Sequence, residues 1–197
     1  MSKPETSGGW QQLWAPWRIG FITGTEAPPS VATQPQPRWL PGADKDCFLC
    51  RGAADITSDE AVQAAANREN LVACRTPASV VVLNRYPYNN GHLLVAPRRH
   101  AARLDELTDD EHLDLMKLSA RLCGVLETQM KAEGFNVGLN LGRVAGAGVP
   151  GHLHWHIVPR WHGDTNFMPA LASVRVIPQS LEALFDLLSG ALKNSGA

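Results

Sequence analysis

The stretch GHLHWHIVPRW, residues 151–161, carries three histidines at alternate positions, His152, His154 and His156. On a helix, side chains two residues apart diverge, whereas on a β-strand they share one face. The apolar residues that alternate with the histidines are Leu153, Trp155 and Ile157. The pattern therefore predicts a β-strand over 152–159 that Pro159 ends. Its apolar residues should face the core, and its imidazoles should lie on the opposite, solvent-facing side.

Three neighbouring imidazoles on one face favour a functional site. A single histidine is often just a satisfied polar group, but three close together cannot all be charged near neutral pH without repulsion. A shared metal ion is the main alternative. Same-face neighbours on a strand lie about 6.6 Å apart, so one ion can take one or two of them. Asp164 and Glu182 are poorly placed to complete a cupin-like metal centre, so at least one imidazole is left for chemistry.

The composition excludes several classes of protein. The chain has 197 residues, 44% of them hydrophobic, which suits one soluble domain with a proper core. A net charge of -1 without long runs of one sign argues against a broad nucleic-acid or membrane-binding surface. No stretch approaches the roughly 18 apolar residues of a membrane span, and the N-terminus lacks the apolar core of a secretory signal. We therefore predict a cytoplasmic protein.

The chain divides by composition into three parts. Residues 25–46 are rich in proline and poor in aliphatic residues, which predicts an extended or mobile surface excursion. The compact part begins at DCFLC. We predict an N-terminal segment over 1–46, a catalytic domain over 47–162 and a C-terminal extension with a helix over 163–197.

Four stretches predict strands: SVVVLN (79–84), HLLVAP (92–97), FNVGLNLG (135–142) and HLHWHIVP (152–159). The turn residues of RYPYNNG join the first two as a hairpin. A long helix should begin at a capping box of Thr108 and Glu111, with leucines on one face and Gly134 at its stop. A second helix is predicted over 180–192. This order predicts an α+β fold in which helices cover an antiparallel sheet.

The ordered motifs resemble those of the histidine triad (HIT) superfamily. The resemblance rests on HLHWHIVP together with VVLNRYPYNNGHLLVAPRRH and GFNVGLNLGRVAGAGVPG, and it covers roughly residues 47–160. LWAPWR before these motifs and RWHGDTNFMP after them look like one branch, the bacterial diadenosine tetraphosphate phosphorylases. The resemblance implies an enzyme that forms a nucleotidyl-histidine intermediate. The nucleotidyl group is then transferred to inorganic phosphate, so the products are ATP and ADP. A HIT-type hydrolase or nucleoside phosphoramidase is the alternative.

The resemblance also implies roles for individual residues. His154 would be the nucleophile, His156 a donor to a phosphoryl oxygen or the leaving group, and His92 a residue that supports the triad. Neutral imidazole is a competent nucleophile near pH 7.

Four further residues would contact the nucleotide. Asn84 matches a ribose-contacting position and Asn140 a phosphate-contacting one, although either is also a plausible turn or edge residue. Gly146 and Gly148 would let main-chain amides approach a phosphate. A glycine-rich turn that only reverses the chain is the simpler reading of these two.

The pair Cys47 and Cys50, in CFLC, has the spacing of metal ligands. The preceding PGADKD is not an apolar strand, which argues against a thioredoxin-like role. By the resemblance, His100 and His152 complete a structural zinc site, although two small buried thiols remain an alternative. Of the four cysteines, the other two are predicted to be core thiols.

Two further hypotheses come from other classes of protein. A nucleotide-binding regulatory protein would not need the intact middle histidine. A zinc-stabilised nucleic-acid-binding protein would carry more positive charge and a second Cys/His cluster. The resemblance also implies a homodimer paired through the long helix and a sheet edge. A divalent ion such as Mg could accompany the polyphosphate.

Overall fold

The computed structural model describes residues 37–165 and 177–194. The motif LWAPWR, residues 25–36 of the proline-rich stretch and the residues NFMP of GDTNFMP lie outside the described residues. The three-part division of the chain remains a prediction.

A five-stranded sheet forms the centre of the fold. Its strands are β1 (Val72–Arg75), β2 (Ser79–Leu83), β3 (Leu93–Pro97), β4 (Gly134–Leu139) and β5 (Trp155–Arg160). They lie in the order β1-β2-β3-β5-β4, and every neighbouring pair is antiparallel. The predicted hairpin is the β2–β3 pair. The α+β class with an antiparallel sheet is therefore confirmed.

The helices are α1 (Phe48–Ala53), α2 (Glu60–Glu69), α3 (Asp109–Met130) and α4 (Leu181–Asn194). The predicted capping box is present, because Thr108 Oγ1 accepts from Glu111 N at 3.2 Å and Thr108 N donates to Glu111 Oε2 at 2.9 Å. The buried face of α3 carries Leu115, Leu118, Leu122 and Leu126. α4 packs against α3 and β1, which closes the core. Within the described ranges, no helix is both long enough and apolar enough to cross a membrane.

Four predicted boundaries are wrong. β4 ends at Leu139 and not at residue 142. β5 begins at Trp155, so His152 and His154 precede the strand instead of lying within it. Pro159 lies within β5 and does not end it. The pairing with β3 stops at Ile157, so β3 accepts no hydrogen bond that would require an amide N–H at Pro159. α3 ends at Met130 with Lys131 in the left-handed conformation (φ 54°), whereas Gly134 begins β4.

Several elements lack a clear sequence pattern. β1 has four residues, too few to show an alternation, and α1 and α2 are short. The described end of the proline-rich stretch is not a free excursion, because Trp39 and Leu40 pack against the core. Arg38 N also donates to Asp55 O at 2.7 Å.

Candidate active site

His152 and His154 lie just before β5, and His156 is its second residue. His156 pairs with Leu94 of β3 and with Gly138 of β4, so the third histidine sits in the middle of the sheet. His152 is fully buried and His154 is 6% exposed. His152 and His154 are therefore buried and do not lie on the solvent-facing surface that the sequence predicted, whereas His156 is partly exposed.

His154 presents an unprotonated nitrogen. Its Nδ1 lies 2.8 Å from the main-chain oxygen of His152, which only accepts hydrogen bonds. Nδ1 must therefore carry the proton, and Nε2 keeps its lone pair when the ring is neutral. Burial lowers the pKa of His154, although the hydrogen bond to His152 O opposes this effect. The ring is thus held neutral with Nε2 as its basic atom.

The proton of His92 is placed by its neighbours. Tyr88 N donates to His92 Nδ1 at 3.0 Å, so Nδ1 is an acceptor. Asn84 Nδ2 lies 3.1 Å from the same atom. The Asn84 amide is oriented by Tyr86 N, which donates to Asn84 Oδ1 at 2.9 Å. His92 therefore carries its proton on Nε2.

His156 Nδ1 accepts a hydrogen bond from the Nε2–H of His92. His156 therefore presents its own N–H to the site. His92 Nε2 lies 2.9 Å from His156 Nδ1, which must act as the acceptor. The proton of neutral His156 is then on Nε2, which is buried and without a hydrogen-bond partner among the described residues. Burial, and next the nearby His154, lower the pKa of His156 to about 4. The His154 and His156 ring centroids are 5.1 Å apart, so a basic nitrogen and an N–H donor stand side by side.

The remaining predicted nucleotide-binding residues lie along one loop. Asn140 directly follows Leu139, which pairs with Trp155, so the next position in register is opposite His154. An exposed 3-10 turn, Arg143–Ala145, leads to Gly146, whose positive φ of 87° suits glycine. A Cβ at Gly146 would lie 3.9 Å from Asn140 Nδ2, which brings this predicted pair together. Gly148 is exposed in the same loop.

The structure brings the four predicted metal ligands into one cluster. The ligand atoms of Cys47, Cys50, His100 and His152 all lie within 4.8 Å of one another. His152 Nδ1 is 3.4 Å from the sulfur of Cys47 and also 3.4 Å from that of Cys50. The distance from Cys50 Sγ to His100 Nδ1 is 3.1 Å. A tetrahedral zinc with ordinary bond lengths separates its ligand atoms by roughly 3.3–3.8 Å. The donor set and its spacing therefore fit one metal ion.

The surroundings of the cluster also suit a metal. His152 Nε2 lies 2.9 Å from the main-chain oxygen of Pro97, which places the proton on Nε2 and turns the Nδ1 lone pair toward the thiols. Burial raises the pKa of Cys50 to about 11. A bound cation would reverse that effect, because metal coordination deprotonates thiols.

A profile of the HIT domain matches residues 65–163, half of the chain. The chain belongs to the HIT family. A HIT protein named AP-4-A phosphorylase, from Mycobacterium tuberculosis, is 38% identical over 179 residues, which cover 91% of this chain and 83% of the relative. The asymmetrical bis(5'-nucleosyl)-tetraphosphatase of Schizosaccharomyces pombe is 39% identical over 90 residues, 46% of this chain and 49% of that protein.

Solved HIT structures agree with the fold. A Zn-bound histidine triad family protein from Mycobacterium smegmatis superimposes with a TM-score of 0.53 at 26% sequence identity. The match covers 64% of this chain and 85% of that one. A HIT protein described as zinc-bound therefore shares this fold.

Two features of this HIT site were missed from the sequence. The ring of Tyr88 stacks on His156, with centroids 5.6 Å apart and an angle of 23° between the planes. Gly138 pairs with His156 in the sheet, and a Cβ there would meet nothing within 4 Å. The aromatic residue in the hairpin turn was the available signal for the first, but turn residues alone do not show which ring they reach.

The partly buried His156 should make folding sensitive to acid. An unfolded histidine titrates near pH 6.5, whereas the folded pKa is about 4. Between these values the unfolded chain binds more protons, so the free energy of unfolding falls as the pH falls. His156→Gln, which does not titrate, should reduce this fall by on the order of 1–3 kcal/mol. Urea unfolding of both proteins at about pH 7 and about pH 5 measures the loss of unfolding free energy. An equal loss in the wild type and in His156→Gln would contradict this expectation.

Proposed function

We propose that this protein is a nucleotidyltransferase that cleaves diadenosine tetraphosphate by phosphorolysis to ATP and ADP. The observation that carries the proposal is the pair of adjacent neutral imidazoles with opposite roles. His154 offers a lone pair on Nε2, and His156 offers a buried N–H without a partner among the described residues. A nucleophile beside a proton donor is the arrangement that covalent transfer of a nucleotidyl group requires.

In the first step, His154 Nε2 attacks the α-phosphorus of one adenosine. A P–N bond forms, and the bond from that phosphorus to the bridging oxygen breaks. The Nε2–H of neutral His156 donates a hydrogen bond to the departing oxygen, where negative charge builds, and keeps its proton, and ATP leaves as the anion. His92 accepts no charge in this step. It holds His156 Nδ1 as an acceptor, so that the proton of His156 stays on Nε2.

In the second step, an oxygen of inorganic phosphate attacks the same phosphorus. The P–N bond breaks, its electron pair returns to His154 Nε2, and ADP is released while the hydroxyl proton of the attacking phosphate stays on ADP or passes to solvent. The exposed loop around Gly146 and Gly148 supports phosphate as the acceptor, because glycines leave room beside the adenylylated histidine. Main-chain amides of this loop and Asn140 would contact the phosphates.

Asn84 makes contacts that add to the ribose-contacting role that the resemblance implies, which stays a prediction. Its Nδ2 lies 3.1 Å from His92 Nδ1, and its Oδ1 is occupied by Tyr86 N. Both ends of the amide are therefore engaged in orienting His92. Contact with a ribose would have to share these atoms.

The family relatives support this substrate class. The M. tuberculosis relative is named for phosphorolysis of AP-4-A and matches 91% of this chain. The S. pombe tetraphosphatase, a hydrolase, matches 46% of it. The same histidine chemistry serves both outcomes, since only the acceptor differs. Hydrolysis to ATP and AMP is therefore the alternative, and nucleoside phosphoramidase activity is a further one.

Product analysis separates phosphorolysis from hydrolysis. Diadenosine tetraphosphate is incubated with the protein, with and without inorganic phosphate, and the nucleotides are separated. We expect phosphate to accelerate the reaction and the products to be ATP and ADP. If phosphate has no effect and AMP appears with ATP, the phosphorylase assignment is wrong and the hydrolase stands. An intact mass without phosphate should reveal the adenylyl adduct, which a purely regulatory nucleotide-binding protein would not form.

We further propose that Cys47, Cys50, His100 and His152 hold a structural zinc ion. The donor set, the 3.1–3.4 Å spacings and the second hydrogen bond of His152 support this assignment. The zinc-bound relative of the same fold supports it as well. Zinc would tie the start of α1 to the residues just before β5.

Three expectations remain predictions. A homodimer is compatible with the edge position of β4 and with the exposed Val137 on it. A divalent ion such as Mg would travel with the polyphosphate. A cytoplasmic location rests on the sequence alone.

A further inference from the structure

The carboxylate of Asp164 accepts hydrogen bonds from two parts of the chain, the end of β5 with the residues after it and the β2–β3 turn. Arg160 Nε and Nη2 donate to it at 2.6 and 2.8 Å, and Trp161 N donates at 3.2 Å. Thr165 Oγ1 adds a bond at 3.1 Å. The fifth donor is Asn89 Nδ2, at 2.9 Å, which belongs to the β2–β3 turn 75 residues earlier. The Arg160 guanidinium holds the pKa of Asp164 below its usual range, so the carboxylate is ionised near neutral pH.

Asn89 connects this carboxylate to the turn that precedes His92. Its Nδ2 also donates to Pro159 O at 3.1 Å, so the side chain is held against the end of β5. Its main-chain oxygen accepts from His92 N at 3.3 Å. Its Oδ1 accepts from Asn90 N at 3.0 Å. Every polar group of the Asn89 side chain is therefore used to fix the turn.

The residue before Asn89 controls the proton of His156. Tyr88 N donates to His92 Nδ1, which leaves the proton of His92 on Nε2 and thereby makes His156 Nδ1 an acceptor. The Tyr88 ring also stacks on His156, with a centroid distance of 5.6 Å, and contacts His92 at a tilt of 44° with a centroid distance of 4.6 Å. A displacement of this turn would remove the Tyr88 amide from His92. The alternative tautomer, with the proton on His156 Nδ1, would then gain population.

We propose that Asp164 is a positioning residue for His156, which it reaches through Asn89 and Tyr88. Asp164 anchors Asn89, the anchored turn keeps Tyr88 N on His92, and His92 keeps the proton of His156 on Nε2. This inference rests on the proposed function, because that N–H is the one that donates a hydrogen bond to the departing polyphosphate. It also assigns a task to Asp164 of the GDTNFMP motif, which the triad itself does not explain.

Other contacts hold the same turn, so the expected effect is partial. Arg85 Nη2 donates to Glu69 O at 3.3 Å, and Asn90 Nδ2 donates to Gln179 Oε1 at 3.3 Å. Gly91 is also confined, since a Cβ there would lie 2.9 Å from the sulfur of Met130. These ties keep the turn folded without the Asp164 contact. They do not orient the Asn89 amide, which lies next to Tyr88 in the chain.

The main test replaces Asp164 by asparagine, which keeps the shape of the side chain. One carboxylate oxygen becomes an NH2 group, which cannot accept the hydrogen bonds that this oxygen accepts. We expect kcat to fall by about 10- to 100-fold with KM changed by less than about threefold. Long-range 1H–15N spectra of the histidine rings should show His156 partly shifted to the Nδ1–H tautomer. Asp105→Asn is the matched control, because Asp105 also accepts two bonds from one arginine, Arg103, far from the turn.

A second variant keeps the proposal testable if Asp164→Asn fails to fold. Asn89→Ala breaks the same link and leaves the Arg160–Asp164 pair intact. It should produce the same kcat loss and the same tautomer shift, and the double variant should lose little more than either single one. A drop in melting temperature with the His156 spectrum and kcat unchanged would overturn the proposal.

The spectra need no substrate, so they separate this inference from the proposed function. A wild-type protein without phosphorolysis would defeat the proposed function. The inference about Asp164 would be lost if His156 kept the Nε2–H tautomer in both variants.

Discussion

Replacing His154 by alanine is expected to abolish the turnover of diadenosine tetraphosphate while the fold is retained. The variant has no atom to form the P–N bond, so only direct attack by phosphate or water remains. Loss of a nucleophile typically costs at least about 1,000-fold in kcat. The measurement is the rate of ATP release, together with an intact mass that should show no adenylyl adduct. Turnover within a few-fold of wild type would end the covalent mechanism.

Two further variants make this result specific. His154→Asn keeps a donor near the position of Nδ1, so the bond to His152 O can persist in a variant that lacks the nucleophile. It should be as inactive as His154→Ala but closer to wild type in stability, since His154 is only 6% exposed and its truncation leaves a cavity. His112 lies on α3, and its Nε2 hydrogen-bonds to Leu104 O. His112→Ala is the matched histidine control and should keep full activity.

Local signals in the sequence were sufficient for the start and the buried face of the long helix and for the hairpin. Thr108 and Glu111 satisfy each other's main-chain donors within one turn, and the leucine spacing marks the buried face of α3. β1 was not predictable in this way. Its four residues show no alternation, and the pairing with β2, which shifts register between Val72 and Cys74, is what makes them a strand. The start of β5 depends likewise on the strands beside it.

The candidate site divides in the same manner. The alternation of His152, His154 and His156 predicts one shared face from spacing alone. Sequence spacing does not predict that Cys50 Sγ lies 3.1 Å from His100 Nδ1, 50 residues away. The set of four metal ligands was therefore predicted from the resemblance, and the fold brings the four side chains together. The tautomer of His156 depends on the main-chain amide of Tyr88. A main-chain contact of this kind requires no particular side chain, so the sequence carries no pattern that predicts it.

Removal of the proposed zinc is expected to lower the melting temperature by about 10 °C. The metal would bind the folded cluster and not the unfolded chain, so its binding free energy adds to the free energy of unfolding. Free zinc at a thousand times its dissociation constant stabilises by about 4 kcal/mol, and each kcal/mol shifts the melting temperature of a chain this size by roughly 2–4 °C. The measurement is thermal unfolding before and after chelation, with the metal content determined on protein purified without chelator.

Matched cysteine variants decide whether the cluster is responsible. Cys50→Ser should reduce the zinc content well below one per chain and should unfold near the temperature of the chelated wild type. Cys123→Ser, on α3 outside the cluster, should bind zinc and respond to chelation as the wild type does. The site would be wrong if unchelated wild-type protein contained no metal. It would also be wrong if Cys50→Ser kept one zinc per chain, because three remaining ligands of a closed site do not replace a buried thiolate.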